Sequence, residues 1–194
     1  MAAEDDLLRA LFHRTVLSPT DGARAVIALD LPRVDLWLAL MLTTVLSVLT
    51  LGVRAPFAGF PLPGNGGTVI VSPFAYAVIL GSGLVMLVFL LYFAGQILGG
   101  KGRFVDILAV VAWLEGVGVV VRVIQMFASL MGPALYGIAV LAGTAFLVWC
   151  LIRFVEVAHR FAGPGRAMGT IFLSFFGVAV GIMPLLTVIG VALN

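Results

Sequence analysis

Apolar residues run almost unbroken over five stretches, Val34–Val53, Phe74–Leu98, Ile107–Leu130, Ala134–Ile152 and Met168–Leu193, and polar residues collect in the segments between them. A helix crosses a hydrocarbon core of ~30 Å with about 20 apolar residues, whereas a membrane β-strand needs only ~10, alternating in character. Each stretch has the helical length and lacks the alternation. Within lipid a helix satisfies its own backbone polar groups, which an open strand cannot do. The pattern therefore predicts an all-α integral membrane protein, a five-helix transmembrane bundle spanning 34–194 behind a short amphipathic N-terminal cytoplasmic arm, 1–33. Trp37, Tyr76, Tyr136 and Trp149 fall near the proposed span ends, where amphipathic rings prefer to sit.

The arm reads as two short helices. Leu7, Leu8, Leu11, Phe12 and Val16 share one face, opposite Arg9 and Arg14. Ser18, Pro19 and Asp21 then resemble a capping box with the shorter acid, which predicts a second helix start. Its Ala23, Val26, Ile27 and Leu29 make an apolar face suited to lying flat on the inner leaflet or in a partner's groove.

Composition agrees with the pattern: 62% of residues are hydrophobic and 10% charged, with a mean hydropathy of +1.22, far from soluble-domain averages. Charge adds direction, because cytoplasmic loops hold the excess of Lys and Arg. Arg9, Arg14, Arg24, Arg33, Lys101, Arg103, Arg153, Arg160 and Arg166 all fall on one side, and Arg54 alone on the other. This places the N-terminus in the cytoplasm and the C-terminal Asn194 outside. Met1 to Asp6 is acidic rather than basic, which argues against a cleaved leader. A net charge of +2 is too small to indicate nucleic acid; its one-sidedness makes those nine residues a candidate face for anionic lipid or a protein partner. Cys150 is the only cysteine, so no internal disulfide can form.

Only the third span carries ionisable residues at depth, Glu115 and Arg122, and such residues within a bilayer are candidates for function. Seven positions apart, they lie within about 20° of each other on a helix. Ala112, Gly118 and Ser129 share the stripe and Gln125 lies at its edge, so Glu115, Arg122, Gln125 and Ser129 form a candidate intramembrane polar site. The opposite face, Val110, Trp113, Val117, Val120, Ile124 and Phe127, is apolar. Two turns separate the charges by ~10.5 Å along the axis, so a direct pair requires the arginine to reach back, or a bridging water. Either the pair fixes helix packing or it lines a transport or ligand path. Gly177 and Gly181 form a small-xxx-small packing step, Gly81, Gly83 and Gly95 supply further close approaches, and Pro184 is a candidate kink.

Several near-motifs carry no chemistry. Gly95 to Lys101 matches a phosphate-binding loop in its glycines and lysine, but Gly102 stands where a hydroxyl should hold magnesium and a membrane helix precedes it. Glu156 and His159 have Glu-x-x-His spacing without further carboxylates, which reads as a helix end pointing at water. No nucleophile with a positioned base, no metal set and no cofactor motif can be assembled, so an enzyme is not expected. The outer segment Arg54–Ser72, with Pro56, Pro61, Pro63 and Asn65-Gly66 ahead of Thr68-Val69-Ile70-Val71, predicts a small hairpin or a cover over the bundle mouth.

Leu17-Ser18-Pro19 in a short arm, five spans, Leu98-Gly99-Gly100-Lys101-Gly102-Arg103-Phe104 followed by Ala109 to Trp113, then His159-Arg160-Phe161 and Arg166-Ala167 together resemble the bacterial branch of the Yip (Ypt-interacting protein) domain family. The resemblance spans nearly the whole chain and implies five helices with a cytoplasmic N-terminus in a bacterial inner membrane. Eukaryotic members of that family associate with small Rab-type GTPases in vesicle traffic; the arm here is shorter than the cytosolic region of many of them. The expectation is a non-enzymatic membrane adaptor or organiser that binds anionic lipid, a protein partner or further copies of itself. The alternative is a small transporter, channel or lipid-moving protein using the third-span site.

Overall fold

The computed structural model describes residues 2–52, 60–64 and 67–192, with side chains for 6–50 and 70–180. Seven helices and one hairpin follow in order: α1 Ala2–Leu17, α2 Pro19–Ala28, α3 Arg33–Gly52, β1 Phe60–Gly64, β2 Gly67–Val71, α4 Pro73–Ile97, α5 Phe104–Leu130, α6 Pro133–His159 and α7 Pro164–Ala192. Proline opens α2, α4, α6 and α7, where its missing N–H costs no helical bond. Ser72 caps α4 by accepting from Ala75 N at 3.2 Å. At the other ends, Gly99 (φ +83°) leaves α4, and Arg160 (φ 56°) closes α6 in the left-handed region.

Among the described residues, four helices, α3 to α6, are long and apolar enough to cross a membrane. The stretch Pro164–Val180 of α7 is also apolar, and α7 as a whole has 29 residues. The segment between α3 and α4 forms an antiparallel hairpin, the first of the two forms expected, pairing Phe60 with Val71 through Gly64 with Gly67; Arg54, Pro56 and the Asn65-Gly66 turn lie outside the described residues. Gly181 and Pro184 fall where α7's side chains are not described.

Helix packing follows a closed circuit: α3 touches α4, α4 touches α7, α7 touches α6, α6 touches α5, and α5 returns to α3. The buried core is concentrated at one end, where α5 is covered continuously from Asp106 to Ala112. There Phe104 packs against Trp37, Phe89 and Tyr92 at centroid distances of 6.3, 5.1 and 5.6 Å, joining α3, α4 and α5. Both α5 and α6 have 27 residues, a rise of ~40 Å. They exceed the apolar runs read from sequence because Arg153 does not end α6: its Nη1 pairs with Glu156 one turn on, at 2.9 Å, and the helix continues to His159.

The arm departs from two expectations. Ser18 makes no side-chain cap; Asp21 turns instead to Arg24 at 3.3 Å, its shorter side chain being better placed for a neighbour on the surface than for the helix end. Nor does the second arm helix offer its apolar face to the leaflet. Ala23 and Val26 are buried because α2 packs on α5 and α6, covering the extra helix length. Protein apolar surface is available along that extension, and the face buries against it. Of the apolar face read on α1, Leu11 is buried while Leu7, Leu8 and Val16 are exposed. α1 and α2 fold back on each other at Ser18, where Gly22 is required: a Cβ there would lie 2.5 Å from Thr15 Oγ1.

Candidate functional site

Glu115 and Arg122 meet directly. Arg122 runs back along α5 over Gly118, where a Cβ would stand 3.4 Å from Nη2, and Nη2 reaches Glu115 Oε1 at 2.6 Å. No bridging water is needed, because the arginine directs its length toward the helix N-terminus over a position with no side chain. A third group completes the cluster from α3. Ser47 Oγ, whose one O–H lies between Glu115 Oε1 at 2.6 Å and Thr43 O at 2.7 Å, accepts from Arg122 Nη2. Ser47 is fully buried, and Glu115 and Arg122 keep 14% and 25% of their side-chain exposure, so the pair is largely withdrawn from its surroundings. The sequence reading missed Ser47. Its signal was the hydroxyl row Thr43, Thr44, Ser47 and Thr50 inside an apolar run, all four of which reach carbonyls of their own helix.

The cluster is not fully satisfied. Arg122 Nε is buried with no hydrogen-bond partner, which costs free energy in a low-dielectric setting. Beside the arginine lies a cavity of about 200 Å³, bounded by Leu114, Gly118 and Arg122 on α5 and by Thr144, Leu147 and Leu151 on α6. The other two residues of the stripe do not join the cluster. Gln125 Nε2 reaches Ala139 O across the α5–α6 contact at 3.5 Å, and Ser129 Oγ bonds Met126 O in its own helix at 2.6 Å. On the opposite face Val120, Ile124 and Phe127 are exposed, but Trp113 is claimed by the arm: its Nε1 donates to Thr15 Oγ1 at 3.0 Å.

The basic residues gather around one end. Arg9, Arg14, Arg24, Arg33, Lys101, Arg103, Arg160 and Arg166 are exposed and Arg153 partly so. Arg103 is built into the fold: it holds the buried Asp106 at 2.8 Å and Asp30 of the α2–α3 turn at 3.1 Å. Hydrogen bonds to Asp106 first and Asp30 second raise the guanidinium above its ordinary pKa, so it is a permanent cation at this junction. Asp106 also accepts from the Arg103 backbone N at 3.3 Å, capping the start of α5. Gly177 packs α7 on α4, where a Cβ would lie 3.2 Å from Leu90.

His159 does not point at water. It is fully buried, its Nε2 lies 3.1 Å from Leu91 O, its own carbonyl accepts from Lys101 N at 2.9 Å, and its ring stacks on Phe161 at 5.2 Å. The glycines of the discarded phosphate-loop pattern surround this ring. A Cβ on Gly95 would stand 2.1 Å from His159 Cε1, and one on Gly100 2.6 Å from Nδ1. Gly102 is held as closely against Ala158 O, at 2.4 Å. Those glycines are therefore a cradle that lets the α4–α5 loop close over an imidazole, not a phosphate site. Glu156, also expected to face water, is mostly covered by its pair with Arg153. Among the described residues no three His, Cys, Asp or Glu side chains gather to hold a metal ion.

A family model described as the Yip1 domain matches residues 14–188. No curated protein and no solved structure matches the chain.

Proposed function

Because the chain belongs to the Yip1 domain family, we propose that it is a non-enzymatic adaptor or organiser of a bacterial inner membrane, crossing it five times with α3 to α7. The N-terminus and the basic end lie in the cytoplasm and the C-terminus outside. The observation that carries this reading is the construction of the basic end. The arm is docked on α5 and α6 through buried Ala23 and Val26 and through the Thr15–Trp113 bond, while Arg9, Arg14 and Arg24 stay exposed beside it. Buried contacts hold the arm in place, and Arg9 and Arg14 remain available to a partner beside Arg24, which shares its charge with Asp21.

Depth supports a lipid-facing role. Trp113 is 17 residues from the outer end of α5 at Leu130, a rise of ~26 Å, which places Thr15 near the inner edge of a ~30 Å core. At that level the exposed Leu7, Leu8 and Val16 meet acyl chains and the arm arginines meet headgroups, each worth about 1 kcal/mol near an anionic surface. Native mass spectrometry of the protein extracted from mixed phosphatidylglycerol and phosphatidylcholine bilayers tests this. The expected result is selective retention of phosphatidylglycerol, reduced by combined Arg9→Gln, Arg14→Gln and Arg24→Gln substitution. Equal retention of both lipids by the unsubstituted protein contradicts it.

A further inference from the structure

We infer that the cavity between α5 and α6 is a binding site for the neutral carbonyl group of a lipid-soluble molecule, held by the unspent donors of Arg122. The first ground is hydrogen-bond inventory. A guanidinium has five N–H donors; Nη2 is engaged by Glu115 and Ser47, Nε is enclosed by protein, and Nη1 forms no hydrogen bond and is not enclosed. Thr144, whose hydroxyl can donate or accept, stands on the facing helix at the same cavity. An acceptor that enters the cavity meets the Nη1 donors of Arg122.

Charge selects the kind of acceptor. Glu115 already neutralises Arg122 at 2.6 Å. A bound anion would leave net charge at a depth where charge is strongly disfavoured, and a carbonyl oxygen carries no such cost. Position selects the phase from which the ligand comes. The guanidinium lies beside Gly118, twelve residues or ~18 Å from Leu130, close to the middle of a ~30 Å core. Thr144 and Val148 at the cavity edge are exposed, and on a membrane-spanning helix that exposure faces hydrocarbon. Size then limits the group. The cavity of about 200 Å³ equals the liquid volume of about six or seven waters at ~30 Å³ each, room for a small ring or an ester segment whose remainder extends out between the helices. The remaining wall, Leu114, Leu147 and Leu151, suits an apolar tail. Two membrane sources carry this chemistry, a quinone ring and a diacylglycerol ester.

The test uses the full chain in nanodiscs of saturated phosphatidylcholine ether lipid, which brings no carbonyl of its own. Decylbenzoquinone, dioctanoylglycerol and a plain alkane of matched length are titrated in turn. Thermal unfolding and the infrared carbonyl stretch are recorded together. The expected result is saturable stabilisation by one or both carbonyl probes with a red-shifted carbonyl band, and none by the alkane; which probe binds identifies the source. Leu147→Trp fills the cavity and leaves Glu115, Arg122 and Ser47 in place, so it weakens binding about tenfold or more. If Leu147→Trp does not fold, Thr144→Val at its exposed position tests the same contact through a smaller carbonyl shift. Stabilisation equal for the alkane and the carbonyl probes, an unshifted carbonyl band, or binding indifferent to both substitutions overturns the inference.

Discussion

Replacing Glu115 by Gln keeps the shape of the third-span cluster and removes its negative charge. Arg122 Nη2 then faces a neutral amide where it had a carboxylate at 2.6 Å, and Ser47 loses a charged acceptor at 2.6 Å. Removing one partner from a fully buried pair costs about 3–5 kcal/mol, whereas neutral hydrogen bonds between membrane helices average ~0.6 and reach ~1.7 kcal/mol. With 14% and 25% of the two side chains exposed, this pair belongs between those limits, at about 2–3 kcal/mol. In an Arg122→Met background no cation remains to be abandoned, and the same Glu115→Gln change costs under about 1 kcal/mol. The coupling is thus about 2 kcal/mol, a factor of about 30 in the unfolding equilibrium. Reversible unfolding in mixed micelles, followed by circular dichroism for wild type, both single variants and the double variant, measures it. Additive losses, with Glu115→Gln equally costly in both backgrounds, would refute the closed pair.

Three further outcomes follow from the same geometry. Gly95→Ala drives a methyl group to 2.1 Å from the His159 ring and costs about 3 kcal/mol or more by overpacking, and His159→Ala in the same chain relieves part of that loss in thermal unfolding. Trp113→Phe removes the bond to Thr15, worth about 1 kcal/mol, so hydrogen exchange of residues 2–28 accelerates about fivefold while the rest of the bundle is unchanged. Arg103→Gln strips the buried Asp106 of its guanidinium partner and unties Asp30, lowering the thermal midpoint and increasing protease cleavage between α2 and α3.

Membrane-spanning length was the most legible property, because the cost of exposing backbone to lipid forces long uninterrupted apolar helices. The hairpin was legible from its prolines and β-branched run. What stayed hidden depended on neighbours. Ser47 passes for a tolerated hydroxyl until α3 sets it against α5, and the spacing of Glu115 and Arg122 could not show that Gly118 clears the path between them. His159 was misread because Glu-x-x-His at a helix end usually faces water; Gly95, Gly100 and Gly102 were the contrary signal, since three positions lacking a Cβ in the last turn of α4 and the loop after it imply something large held close. The apolar face of α2 was recognised, but not its target, because periodicity reports that a face will be covered and not by what.

The proposed topology, a cytoplasmic basic end followed by an odd number of crossings, underlies both the proposed lipid-facing role of the arm and the depth assigned to the third-span cluster. Reporter fusions read this directly: alkaline phosphatase, active only outside, and green fluorescent protein, fluorescent only in the cytoplasm, each placed after Lys101 and after Asn194. Fluorescence at Lys101 with phosphatase activity at Asn194 is the predicted result. Fluorescence at both positions would contradict it, because α7 would then not cross the membrane.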